Sequence, residues 1–158
     1  MVYETIADKF KENNLSNNFG EYYYICKNFQ RKSLDTLRAK VLSFIYFATC
    51  GYGERMLHPL ITSLILVLLF AILYILVGLD IEGETIIYLL GIGLPKSFSQ
   101  FVKQFNETLN LSCGIFAGLG MITAGPTPAA YMISNVEMVL GVIMMGIGIG
   151  TITRKLVR

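Results

Sequence analysis

Residues that do chemistry are scarce in this chain. It has one histidine, His58, and three cysteines, Cys26, Cys50 and Cys113. The cysteines form no CxxC pair and no metal-ligand spacing, so neither a metal centre nor a disulfide framework is expected. There is no phosphate-binding glycine loop and no paired-carboxylate motif. Together these absences argue against an enzyme and predict no cofactor. A formal net charge of +2 is too small to suggest a nucleic-acid partner. His58 adjoins Pro59 at the edge of an apolar run and reads as an interfacial residue. The sequence also contains no pentapeptide repeat.

Charge is missing from three long stretches: residues 59–79, 108–136 and 138–153. The 158-residue chain is 54% hydrophobic, against about 45–50% apolar for soluble domains. The first stretch meets the roughly 20-residue need for crossing a hydrocarbon core of about 30 Å. It lies too far from Met1 to be a secretory signal. The third stretch is bounded by Glu137 and Arg154. The middle one is broken by Gly118, Gly120, Gly125, Pro126 and Pro128. A span, an interrupted apolar segment and a second span form the plan of a two-helix pore-loop protein. The expected fold is therefore an all-α integral membrane protein, with short N-terminal cytoplasmic or interfacial helices in residues 1–57. A two-span domain would cover 58–158: first span 59–79, pore helix 108–117, filter-like loop 118–128 and second span 131–153.

Lysine and arginine give the orientation. Lys9, Lys11, Lys27, Arg31, Lys32, Arg38, Lys40 and Arg55 precede the first span, and Arg154, Lys155 and Arg158 follow the second. The region between holds only Lys96 and Lys103, with Asp80, Glu82, Glu84 and Glu107. The positive-inside bias predicts a multi-pass protein of the plasma (inner) membrane with both termini cytoplasmic.

The N-terminal part reads as amphipathic helices: one from Tyr3, a second with Ser16 as N-cap, and a third after Ser33. It is too short for a sizeable core of its own. It is expected to pack on itself, on neighbouring subunits or along the bilayer, and residues 44–50 are apolar enough for the interface. Gly51-Tyr52-Gly53 matches a potassium-filter signature as text. It precedes the first span, whereas a filter must follow a pore helix between the two spans, so it reads as a juxtamembrane turn. Residues 86–94 are too few to cross a membrane and read as an outer helix or a subunit contact. Residues 96–106 read as loop or short helix.

The run 105–120, FNETLNLSCGIFAGLG, followed by Glu137, Gly141 and Arg154-Lys155, resembles the pore and inner helix of bacterial two-transmembrane-helix potassium-channel-like proteins. Residues 22–79, with Gly51-Tyr-Gly-Glu-Arg and His58-Pro59, resemble the branch of that family often fused to pentapeptide repeats. The resemblance implies a homotetramer, by analogy, that passes monovalent ions down their gradient. Its filter is rewritten. Aligning Ser112 and Gly120 places Gly118 at the filter threonine, Leu119 at the variable position and Gly120 at the first glycine. Met121 then falls at the tyrosine, Ile122 at the second glycine and Thr123 at the aspartate. Filter glycines adopt backbone angles that a β-branched Ile122 meets poorly, and Gly118 lacks the threonine hydroxyl. The expectation is a weakly selective cation pore, narrowest at Met121–Thr123. The resemblance gives Glu137 the role of supporting the pore loop and Gly141 that of an inner-helix hinge. Helical spacing adds Ile143, Ile147 and Thr151 as candidate gate linings. Two alternatives stand beside this: a non-conducting membrane anchor or signalling subunit on the same scaffold, and an anion-permeable pore.

Overall fold

A computed structural model of the chain describes residues 2–13, 16–55, 57–81, 83–120 and 124–156. The described structure is mostly helical: α1 (Val2–Glu12), α2 (Ser16–Lys32), α3 (Leu37–Cys50), α4 (Leu57–Val77), α5 (Phe98–Phe116) and α6 (Tyr131–Leu156). Three short strands accompany them: β1 (Leu79–Ile81), β2 (Glu84–Ile86) and β3 (Ala124–Pro126). Two helical stretches, Leu57–Val77 and Pro128–Arg154, are long and apolar enough to cross a membrane.

The 21-residue α4 is rich in leucine and isoleucine and carries its one proline in the first turn, where the missing N–H costs no helical bond. At 1.5 Å per residue it is about 32 Å long. It stops two residues before the expected end of the first span. Gly78 adopts φ +140°, and Leu79 leaves the helix to begin β1. Side-chain polarity on α4 is inverted relative to a water-soluble helix. Leu60, Ile61, Leu64, Ile65, Leu68, Leu69 and Ile72 are exposed, while Tyr74 is fully buried. Such a surface suits hydrocarbon, where the polar groups must find partners inside the protein.

The strands form one antiparallel sheet in the order β2-β1-β3, with Leu79 opposite Ile86 on one side and opposite Pro126 on the other. This sheet departs from the all-helical expectation. Residues 86–94 also form no helix. A 3₁₀ turn at Tyr88–Leu90 is closed by an isolated bridge between Ile87 and Ile92. Gly91 and Gly93, at φ +71° and +70°, turn the chain where a helix would have to continue.

The chain divides into two compact units, Met1–Thr62 with Gly146–Arg158, and Ser63–Met145. The division therefore passes through α4 and α6. In the first unit, the first turns of α4 are tied to α3 by the Thr62 hydroxyl, which donates to the Ala48 carbonyl. Arg154, near the end of α6, is paired with Glu54 at 3.1 Å. Aromatic rings join the shorter helices: Phe10 stacks on Tyr22 at 5.2 Å, and Tyr24, Phe47, Tyr52 and His58 form a cluster. The Arg31 guanidinium lies 4.1 Å from the centre of the Phe47 ring. Ser33 does not cap α3. Its hydroxyl donates to the Gln30 carbonyl at the end of α2, and α3 starts after Thr36. Gly51–Gly53 forms a 3₁₀ turn that closes α3, with Gly51 left-handed and its N–H on the carbonyls of Tyr46 and Phe47.

The second unit has its apolar core between α4, α5 and the sheet, around Phe70, Tyr74, Ile75, Leu79, Ile86, Leu111 and Ile115.

Candidate functional site

The site is built on α5. The expected pore helix, 108–117, is the second half of a longer helix that begins at Phe98. Ser97 caps it by accepting the Gln100 N–H at 3.3 Å. The sequence expectation stopped at the charge of Glu107. The buried face of the helix runs on past that residue, through Gln104, Thr108, Leu111, Ser112 and Ile115.

Three of those residues, Gln104, Thr108 and Ser112, are polar and spaced by four, so they stack along one face. Each has a partner. The Tyr88 hydroxyl donates to Gln104 Oε1 at 2.6 Å, and Gln104 Nε2 donates to the Gly93 carbonyl at 3.0 Å. Burial pushes the Tyr88 phenol up from its ordinary value, so it remains a donor. The Thr108 hydroxyl donates to the Gln104 carbonyl at 2.6 Å. Ser112, fully buried like Thr108, meets two acceptors, the Val67 carbonyl of α4 at 3.0 Å and Glu137 Oε1 of α6.

Glu137 is the centre of this arrangement. Its side chain is 0% exposed. Tyr74 of α4 donates to Oε2 at 2.6 Å, and Ser112 of α5 meets Oε1. One carboxyl group therefore binds the first apolar helix and α5 to the second apolar helix. An unpartnered acid at this depth would be strongly unfavourable, and here both oxygens are satisfied. Glu137 acts on the helix behind the loop; its hydrogen-bonding partners Tyr74 and Ser112 belong to α4 and α5. Four residues on, Gly141 lets α6 approach α5 closely. A Cβ there would collide with the Phe116 carbonyl.

The loop leaving α5 is held at both ends. Gly118 ends the helix at φ +69°, with its N–H on the Ile115 carbonyl. The Leu119 N–H donates to the Gly114 carbonyl at 2.9 Å, folding the chain back over the last helical turn. A side chain at Gly114 would come within 2.5 Å of the Gly120 carbonyl. Gly120 also has a positive φ, +85°. At the far end, β3 pairs with β1, and the buried Thr127 places its hydroxyl 3.2 Å from the Gly78 carbonyl. Gly118, Leu119 and Gly120 are exposed between these anchors, Leu119 to 82%. Met121, Ile122 and Thr123 lie outside the described residues.

The remaining expected site residues differ in environment. Ile143 is exposed, Ile147 is half-buried and Thr151 is buried, with its hydroxyl on the Gly148 carbonyl at 2.9 Å. Tyr74, Gln104 and Thr108 were missed from the sequence. The four-residue spacing of Gln104, Thr108 and Ser112 and the one tyrosine hydroxyl late in an apolar helix were the available signals.

The chemistry of the site is positional. Hydroxyls and one carboxyl link α4, α5 and α6, and backbone bonds with the Thr127 hydroxyl hold the two ends of a glycine loop. Comparison with family models, curated proteins and solved structures finds no match to the chain.

Proposed function

We propose that this chain is the subunit of a membrane ion channel in which α4 and α6 cross the bilayer, α5 is the pore helix and residues 118–128 line the entrance. The observation that supports it best is the Glu137 bracket. It secures the end of a helix that stops at an exposed glycine loop, and that loop is anchored again by β3. Backbone presented in this way is tolerated at membrane depth when it borders water, as it does around a shared axis. Following the resemblance to potassium-channel-like proteins, four copies surround that axis and pass monovalent cations. The positive φ of Gly118 and Gly120 supports a loop of peptide groups. The sequence change at 121–123 supports weak selectivity. The protein then resides in the plasma (inner) membrane with its termini in the cytoplasm.

The test is current across a planar bilayer from the purified protein under a potassium chloride gradient, with Ile122→Gly measured alongside. The expected result is unitary current that reverses near zero for the wild type and moves toward the potassium potential in the variant. Reversal near the chloride potential would replace this reading with an anion pore. Silence from intact oligomers of both proteins would replace it with a non-conducting scaffold.

A further inference from the structure

The first unit contains an open groove of about 620 Å³, within the roughly 300–1,000 Å³ range of ligand sites. Leu42 and Tyr46 of α3 line it, with Tyr23 and Lys27 of α2, Tyr52 of the Gly51–Gly53 turn, and Arg154. Leu42 and Tyr46 are more than half exposed, and α3 has no buried residue at all. The helix also exposes Leu37, Val41, Phe44 and Ile45.

The position of α3 indicates what covers it. Thr62 lies five residues into α4, about 7.5 Å along the helix axis. Its bond to the Ala48 carbonyl sets the last turn of α3 beside that level. With α4 as a membrane span, this level is the boundary between head groups and acyl chains, where an apolar helix with exposed leucine and aromatic side chains is stable. The same unit exposes Leu57, Leu60 and Ile61.

The charged groups that line the groove, Lys27 and Arg154, are cationic. Lys27 Nζ donates to Gln30 at 3.0 Å and lies 5.6 Å from the Tyr23 ring centre. An ammonium has three donors. Arg154 is 46% exposed and gives Nη2 to Glu54, and a guanidinium has five N–H groups. Lys32, Arg38 and Lys40 are exposed on the neighbouring turns. Asp35, also exposed, is the acid at the start of α3.

We infer that this groove is a binding site for one anionic phospholipid, whose acyl chain lies along Leu42 and Tyr46 and whose head group is held by Lys27 and Arg154. The inference rests on α4 being a membrane span, and the test separates the two.

The chain has no tryptophan, so a single introduced one reports alone. Full-length Leu42→Trp and Leu64→Trp are reconstituted in phosphatidylcholine vesicles containing brominated phosphatidylglycerol or, separately, brominated phosphatidylcholine. Leu64 lies on the exposed face of α4, so its variant should be quenched equally by both lipids. Leu42→Trp should be quenched by the anionic lipid at a share on the order of tenfold lower than by the zwitterionic one, the scale that two basic groups give near a membrane. Adding Lys27→Gln or Arg154→Gln should lower that preference to about fivefold or less, and both together should abolish it, with far-ultraviolet circular dichroism confirming the helices. Lys27→Gln leaves the Arg154–Glu54 pair intact and keeps the test valid should Arg154→Gln unfold. Equal quenching of Leu42→Trp by both lipids would overturn the site. So would no quenching of Leu42→Trp while Leu64→Trp is quenched. No quenching of Leu64→Trp would overturn the membrane reading itself, and the site with it.

Discussion

Glu137 places an acidic side chain, fully buried and hydrogen-bonded at both oxygens, among apolar helices. Three oxygens sit in line: the Val67 carbonyl, Ser112 Oγ and Glu137 Oε1. The serine hydroxyl has a single proton to offer two acceptors. A carboxamide at position 137 would supply a second donor while still accepting from Tyr74. Glu137→Gln should therefore keep the three helices together. Glu137→Ala leaves the buried Tyr74 hydroxyl without its acceptor, while Ser112 keeps the Val67 carbonyl, and should cost roughly 1–3 kcal/mol, the scale of an unsatisfied buried donor. Folded fraction in a denaturing-detergent titration, followed by circular dichroism, measures both variants. Equal losses for Gln and Ala would show that the hydrogen bonds contribute little. In the proposed channel, Glu137→Ala should also reduce current even where folded protein remains, because the support of α5 is gone.

At the scale of elements, the two apolar helices were legible in the sequence and the parts joining them were not. Uncharged runs of this length signal a helix by hydropathy alone, so α4 and α6 differ from the expected spans by only two or three residues at their ends. The sheet gave no comparable signal. Its strands are three residues each, and their pairing depends on contact between residues 79–81 and 124–126, distant in sequence. The start of α5 was missed because charge was taken as a boundary, although Lys103 and Glu107 lie off the fully buried face. Glycines show the same limit. Gly141 and Gly146 look alike in the sequence, yet a Cβ on Gly141 meets the Phe116 backbone and one on Gly146 meets nothing within 4 Å. Gly141→Ala should lose about 1–3 kcal/mol through overpacking against main chain that has little room to move. Gly146→Ala should gain up to about 1 kcal/mol in the isolated subunit from helix propensity. The same detergent titration compares them, and a stabilised Gly141→Ala would show that α6 and α5 are not in close contact at this point. Among the expected site residues, Glu137 and Gly141 thus share a buried face one turn apart, a grouping that helical spacing anticipates.

For the whole molecule, the decisive property is which side of the membrane each end occupies. In the proposed channel two crossings would return the chain to its starting side, and basic residues are concentrated before α4 and after α6. Transfer of such clusters across an inner membrane is disfavoured, so the ends should remain in the cytoplasm while β1, β2 and the start of α5 face outward. Glu84 and Lys9 are both exposed, which makes them suitable reporters of the two sides. In a background with Cys26, Cys50 and Cys113 replaced, Glu84→Cys should react with a membrane-impermeant maleimide on intact cells. Lys9→Cys should react only after permeabilisation. The opposite pattern would invert the protein and place the 118–128 loop on the cytoplasmic side. Labelling of both positions from outside would mean that α4 does not cross, and a loop between two spans would then no longer exist. In the proposed channel, conduction would depend on that parity more than on any single side chain, because α5 and the 118–128 loop would form an entrance only if both flanking helices cross.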